Sequence, residues 1–213
     1  MPPIPADFDA SHTLLLFGGS FDPPHRAHAE LPPRVAQHLG ADAVVYIPAR
    51  RPPHKPDRVL ADDHHRLAML RLALTHGKCP VPRLVWPGEL DRTGPSYTVD
   101  TLEQLHAETP ATLRLLIGTD QARVFETWRD HDRILALAEP AVMIRPPDTI
   151  DSLAAELPAG WSPRLIPPDV APHTDISSTS VRERLRQGQP IDDLVPQPVA
   201  DYIAKHHLYD WPE

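Results

Sequence analysis

Two histidines follow a pair of glycines near the start of the chain, in the string Gly18-Gly19-Ser20-Phe21-Asp22-Pro23-Pro24-His25-Arg26-Ala27-His28. Glycines let a ligand approach the backbone closely and leave N–H groups facing it. If His25 and His28 lie on the first turn of a helix, their imidazoles sit together on one face. The positive end of that helix beneath them then makes a site for an anion. Neither the GxxxxGK[ST] phosphate loop nor the GxGxxG dinucleotide loop is present. The pair alone leaves three readings open: an anion site, a metal site completed by a third ligand such as Asp22, or two of the 13 histidines that happen to be close.

A second constellation lies far downstream: Ile176-Ser177-Ser178-Thr179-Ser180-Val181-Arg182. Hydroxyl residues leading into a helical pattern, with Ser180 and Glu183 spaced as a capping box, predict a well-capped helix. The same N-terminus followed by arginine also suits a phosphate cradle. Between the two strings, Arg50, Arg51, His54, Lys55 and Arg58 gather cations, which reads as a solvated basic loop or as a local anion site. Tyr97-Thr98, Gly118 with Asp120, Trp128 and Arg145 complete the polar candidates. Each has a plain structural alternative: a helix start, a cap, a core aromatic. His131-Asp132 is too isolated a pair to support a metal-dependent hydrolase.

These residues need a frame. Short apolar runs recur at Thr13–Phe17, Ala43–Ile47, Arg83–Trp86, Leu113–Ile117, Ala141–Ile144 and Arg164–Ile166. Most are continuous rather than alternating, as in strands buried on both faces of a parallel sheet. Helical spacing of apolar residues marks His65–Thr75, Thr98–Ala107, Arg129–Ala138, Ser180–Arg186 and Val199–His207. Strand–helix alternation predicts a single α/β domain, residues 1–213, with a doubly wound parallel sheet of Rossmann-like type. Ligands in such folds sit beyond the carboxyl ends of the strands. Proline is abundant, 28 of 213 residues against about 5% in ordinary proteins. The pairs Pro23-Pro24, Pro52-Pro53, Pro146-Pro147 and Pro167-Pro168 each follow an apolar run, which reads as rigid loops at strand ends rather than disorder. Pro32-Pro33 falls where a helix should follow the first strand. That helix either starts near Pro32 or is broken there.

Composition narrows the function. Hydrophobic residues at 41% and charged residues at 23% describe an ordinary globule. A net charge of −8 disfavours a nucleic-acid partner, which calls for a basic face. The lone Cys79 excludes an internal disulfide and fits a reducing compartment. The N-terminal residues lack the basic and apolar regions of a secretory signal. No apolar run nears the ~18 residues of a membrane span. These features predict a cytoplasmic protein with no membrane partner, and they leave a homo-oligomer open.

Read as whole strings, the two motifs carry a resemblance. Gly18 to His28 resembles the GGTFDPxHxGH signature of the HxGH nucleotidyltransferase superfamily, and Ile176 to Arg182 resembles its second motif, ISSTxxR, about 150 residues downstream as the superfamily has it. Pro52-Pro53-His54-Lys55, Pro95-Ser96-Tyr97-Thr98 and Ile117-Gly118-Thr119-Asp120 with Trp128 are similar to the PPHK, PSYT and IGxD…W segments of its nicotinate-nucleotide branch. The resemblance spans Phe17 to Tyr209. It implies that AMP passes from ATP to nicotinate mononucleotide, giving nicotinate adenine dinucleotide and pyrophosphate in NAD biosynthesis. It implies catalytic roles for His25 and His28 on the phosphates, and an ATP site formed by Gly18, Gly19, Ser20, Phe21, Gly118, Asp120, Ile176, Ser178, Thr179 and Arg182. It further implies that Arg50, Lys55, Tyr97, Thr98, Trp128 and Arg145 serve the acceptor, and that Mg²⁺ arrives mainly on ATP phosphates. The chain departs from the signature at Ala27, where the superfamily has glycine. A sister adenylyl- or cytidylyltransferase, and a nucleotide-binding module without turnover, are the rivals.

Overall fold

The structure is a computed structural model that describes residues 4–5, 7–52, 60–75, 77, 79–158, 161–172 and 175–210. Six parallel strands form one sheet: β1 Thr13–Gly19, β2 Ala43–Pro48, β3 Arg83–Val85, β4 Thr112–Gly118, β5 Glu139–Met143 and β6 Arg164–Ile166. Their order is β3-β2-β1-β4-β5-β6. The chain winds outward from β1 to β3, then returns past β1 to wind the other way. Strand order therefore reverses between β1 and β4, the place where such sheets open a crevice for ligands. Register aligns the ends: Gly18 of β1 pairs with Ile47 of β2, and Gly118 of β4 with Met143 of β5.

Both faces of the sheet are buried, which is why the strands read as continuous apolar runs. Leu14, Leu16, Val45, Leu113, Leu115 and Val142 pack on one face, while Leu15, Val44, Tyr46, Leu116, Ala141 and Met143 pack on the other. The helices that cover these faces are α1 Arg26–Leu39, α2 Asp63–Thr75, α3 Gly88–Asp91, α4 Thr98–Glu108, α5 Thr119–Arg123, α6 His131–Leu137, α7 Ile150–Glu156, α8 Ser178–Arg186 and α9 Gln197–Lys205. A further apolar cluster joins α2, α8 and α9 through Met69, Val181, Leu185, Val199 and Ile203.

Two local expectations are corrected. Helix α1 neither starts at nor breaks at Pro32-Pro33: it runs from Arg26 to Leu39 straight through both, and both rings are buried. Each proline withholds the N–H that the His28 and Ala29 carbonyls would otherwise receive; packing of the helix on the sheet outweighs that loss. The helix stops at Gly40, whose left-handed φ of 64° lets its N–H reach the Ala36 and Gln37 carbonyls. In α8 the capping box lies one turn earlier than Ser180/Glu183. Ser177 is the N-cap, accepting from the Ser180 N–H at 3.0 Å, and Ser180 Oγ accepts from the Ser177 N–H at 3.0 Å.

Candidate active site

Strands β1 and β4 end in glycines beside the reversal of strand order, and a cavity of about 490 Å³ opens there. Gly18 is exposed in its wall, and a methyl at that position would project into open space. Gly19 has a different reason: a methyl there would press on the Phe21 ring at 3.1 Å. Phe21 is buried and takes a φ of 49° to turn the chain from β1 toward α1.

His25 is the N-cap of α1 and His28 is its third helical residue. Their rings stack with centroids 3.6 Å apart. His28 Nδ1 accepts the His25 backbone N–H at 3.3 Å. The neutral His28 ring therefore carries its proton on Nε2, as a donor for whatever enters. His25 is buried, and its Nδ1 has no hydrogen-bond partner among the described residues. A buried, unmatched polar atom in a cavity wall signals a missing partner. Burial, and then the Arg145 guanidinium, lowers the His25 pKa to about 4. His28 is pushed well below the ordinary histidine value by burial first, then by His25 and Arg145. Both imidazoles are thus neutral at pH 7.

The opposite wall is the start of α8, where Ile176, Ser177, Ser178 and Thr179 line the cavity. Ser178 Oγ donates to the Pro23 carbonyl at 2.8 Å, which ties the two motifs together across 155 residues. Neither α1 nor α8 has an acidic residue in its first turn. Two positive helix ends without an acidic first turn thus border one space, which favours an anion there. Arg145 faces the same space from the loop after β5, with a guanidinium nitrogen 3.8 Å from Asp120 of α5.

Of the residues singled out from sequence, Gly18, Gly19, Ser20, Phe21, His25, His28, Thr98, Gly118, Asp120, Trp128, Arg145, Ile176, Ser178 and Thr179 all line this cavity. Ala27, the position where the chain departs from the signature it resembles, lines it too. Three expected residues stand outside the lining of this cavity. Arg182 donates to the Asp22 backbone carbonyl and, at 3.2 Å, to Thr179 Oγ1. Arg50 donates to the Arg92 carbonyl at 2.7 Å. Tyr97 caps α4 and lies under the Arg129 guanidinium, 4.8 Å from its centroid. Lys55 lies outside the described residues, as do His54 and Arg58.

Sequence reasoning missed several members. Glu89, Ser96 and Thr101 also line the cavity. Glu89 is buried and accepts from Thr101 Oγ1 at 2.6 Å; burial raises its pKa against the hydrogen bonds of Thr101 and Ser96 and the charge of Arg92. Ser96 Oγ accepts the Arg50 N–H at 3.1 Å, joining the loop after β2 to the start of α4. Arg66 of α2 is fully buried beneath the site and donates to the Ser20 and Ala49 carbonyls, each at 2.7 Å, and to the Ala61 carbonyl at 3.0 Å. An ordinary amphipathic helix gives no sign that one of its arginines points inward.

Comparison with known proteins agrees with this geometry. Residues 16–184 match the family model described as cytidylyltransferase-like. A chain from Bacillus pumilus named a probable nicotinate-nucleotide adenylyltransferase is 36% identical over 200 residues, covering 92% of this chain and 97% of that one. A chain of the same name from Salinibacter ruber is 41% identical over 202 residues, with 92% and 97% covered. The solved Plasmodium falciparum nicotinic acid mononucleotide adenylyltransferase, complexed with NaAD, superposes with a TM-score of 0.72 at 20% identity, covering 94% of this chain and 98% of that one. With a family model spanning most of its length and relatives matched nearly end to end, the chain belongs to the cytidylyltransferase-like family, in the company of the nicotinate-nucleotide adenylyltransferases.

Proposed function

We propose that this protein transfers AMP from ATP to nicotinate mononucleotide, releasing pyrophosphate and forming nicotinate adenine dinucleotide for NAD biosynthesis. The observation that carries the reading is the His25–His28 stack facing the N-terminus of α8 across one cavity. Relatives matched over more than nine-tenths of the chain bear the corresponding name.

The acceptor phosphate is already ionised at neutral pH, so no general base is required. The obstacle is the approach of one anion to the α-phosphorus of another. An acceptor oxygen forms a bond to that phosphorus while the bond to the bridging oxygen breaks, and the electron pair leaves with pyrophosphate. Charge that moves onto the leaving oxygens is met by the His28 Nε2–H, the His25 imidazole and the positive end of α1. Ser178 and Thr179, at the positive end of α8, suit the departing pyrophosphate. Trp128, packed on Phe125 at 5.3 Å between centroids, offers a flat face for the pyridine ring beside Thr98. Arg145 supplies a cation whose charge reaches both histidines.

Mg²⁺ accompanies the triphosphate. Of the carboxylates that line the cavity, Asp120 lies near Arg145 and Glu89 is bonded to Thr101. That supports an ion held mainly by phosphate oxygens and water, as Mg²⁺ commonly is. No helix among the described residues is long and apolar enough to cross a membrane, and a cytoplasmic site of action, where ATP is at hand, belongs to the proposal.

The test is pyrophosphate release from Mg·ATP with nicotinate mononucleotide and nicotinamide mononucleotide in parallel. Turnover is expected with the acid, at higher kcat/KM than with the amide. His28→Ala should lower kcat by about 100-fold or more while changing ATP binding little. A strong preference for the amide, or a fully active His28→Ala, refutes the assignment.

A further inference from the structure

Asp22 stands three residues before His25, and it is 1% exposed. Its Oδ1 accepts two donors: the Ala61 N–H at 3.1 Å and the Tyr209 phenol at 2.8 Å, the latter from 187 residues away. Its backbone carbonyl accepts from Arg182, whose guanidinium also holds Thr179 in the cavity wall. Tyr209, Asp22, Arg182 and Thr179 thus form one chain of hydrogen bonds that runs from outside the cavity to its lining.

The segment after α9 is shaped for this contact. Tyr209 has φ 62° and ψ 37°, and His207 has φ 50°. Residues with side chains seldom adopt this left-handed region, and they keep it only where the surroundings impose it. Leu208 and Tyr209 pack on the cluster that joins α2, α8 and α9, so the bend is anchored on the helices flanking the site. Burial first, then the Asp22 charge and hydrogen bond, raises the Tyr209 phenol well above its ordinary pKa. It therefore stays a neutral donor throughout the working pH range.

We infer that Tyr209 is a positioning residue for adenylyl transfer: by donating to the buried Asp22 carboxylate it fixes the loop that sets His25 and His28 against the start of α8. The inference rests on the cavity being the adenylyl-transfer site, which wild-type turnover tests on its own. Without the phenol hydroxyl, Asp22 keeps a buried charge with one donor fewer, and the loop and Arg182 settle into a looser arrangement. The bound substrates lose little contact, but the reacting atoms lose alignment, and small misplacements cost rate rather than affinity.

The experiment uses the full chain and the pyrophosphate-release assay. Tyr209→Phe keeps the ring and removes only the hydroxyl. Its kcat should fall about tenfold, with both KM values within about twofold of wild type. Val199→Ala, which weakens the same apolar cluster in the first turn of α9, away from the Tyr209 bend, should lower Tm at least as much yet keep kcat near wild type. In a double-mutant cycle, Asp22→Asn with Tyr209→Phe should be no slower than Asp22→Asn alone, because the two act through one bond. The inference is overturned if Tyr209→Phe stays within about twofold of wild-type kcat. Additive losses in the cycle, or an equal loss in Val199→Ala, overturn it too. Absence of turnover in the wild-type protein with either mononucleotide sinks the functional assignment instead.

Discussion

His25 is uncharged at neutral pH because burial and Arg145 hold its pKa at about 4, and that has a consequence for stability. An exposed histidine titrates near 6.5, so between these values the unfolded chain binds the extra proton and the folded chain does not. Stability then rises with pH across the window; it is fully present above about pH 6.5 and is lost as the pH falls toward 4. From pH 7 to pH 5 the loss through this one group is roughly 2 kcal/mol. Urea unfolding at both pH values checks it: His25→Gln should remove about that much of the wild-type difference, and an unchanged difference contradicts the neutral, buried imidazole. Gly18 makes the complementary case. Its missing side chain faces open space, so Gly18→Ala should fold with a Tm near wild type. Its methyl should then raise the KM for ATP about tenfold by blocking close approach to the backbone; an unchanged KM would mean that ATP does not pack on this turn. At this scale the sequence was informative where short range decides, as for the two histidines and the hydroxyls of α8. It placed Arg182, Arg50 and Tyr97 at the site by resemblance alone, since spacing along a chain does not say which carbonyl a long guanidinium will find or which cation will lie over a ring.

The elements follow the same division. All six strands lie where continuous apolar runs predict them, because burial on both faces writes itself plainly into composition. Helix α1 was obscured by Pro32-Pro33, since local propensity argues against a helix that packing nonetheless imposes. The short helices α3, α5 and α7 offered too few turns for a period to show. Arg66 is the clearest element-scale surprise: from the first turn of α2 it fastens the loops after β1 and β2 together. It has no exposed surface, and it also pairs with Asp63. Arg66→Met should leave several buried acceptors and a carboxylate without their partner, costing about 3 kcal/mol or more. Arg66→Lys should recover only part, because one ammonium cannot reach acceptors that a planar fork spans. Urea midpoints for the pair measure this. A Lys variant as stable as wild type would show that charge alone, not the fork, holds the loops.

At the scale of the whole molecule, an acidic protein binds two anions. Its net charge of −8 repels them at a distance, while two helix N-termini and Arg145 attract them inside the crevice that the strand order creates. These opposing effects differ in how they respond to salt. Repulsion from exposed charges acts over distances comparable to the screening length, about 8 Å at physiological ionic strength, and is quenched first. Attraction within a part-buried cavity acts over hydrogen-bond distances and is screened much less. Raising KCl from about 20 to 200 mM should therefore leave kcat/KM for ATP unchanged or modestly higher, within about twofold. Arg145→Ala removes a local cation and adds to the repulsion, so its kcat/KM should start lower and rise more steeply with salt. Steady-state rates at fixed free Mg²⁺ test both statements. A wild-type kcat/KM that falls tenfold or more over this range would mean that exposed side-chain cations, rather than the helix ends of the crevice, govern the capture of the triphosphate.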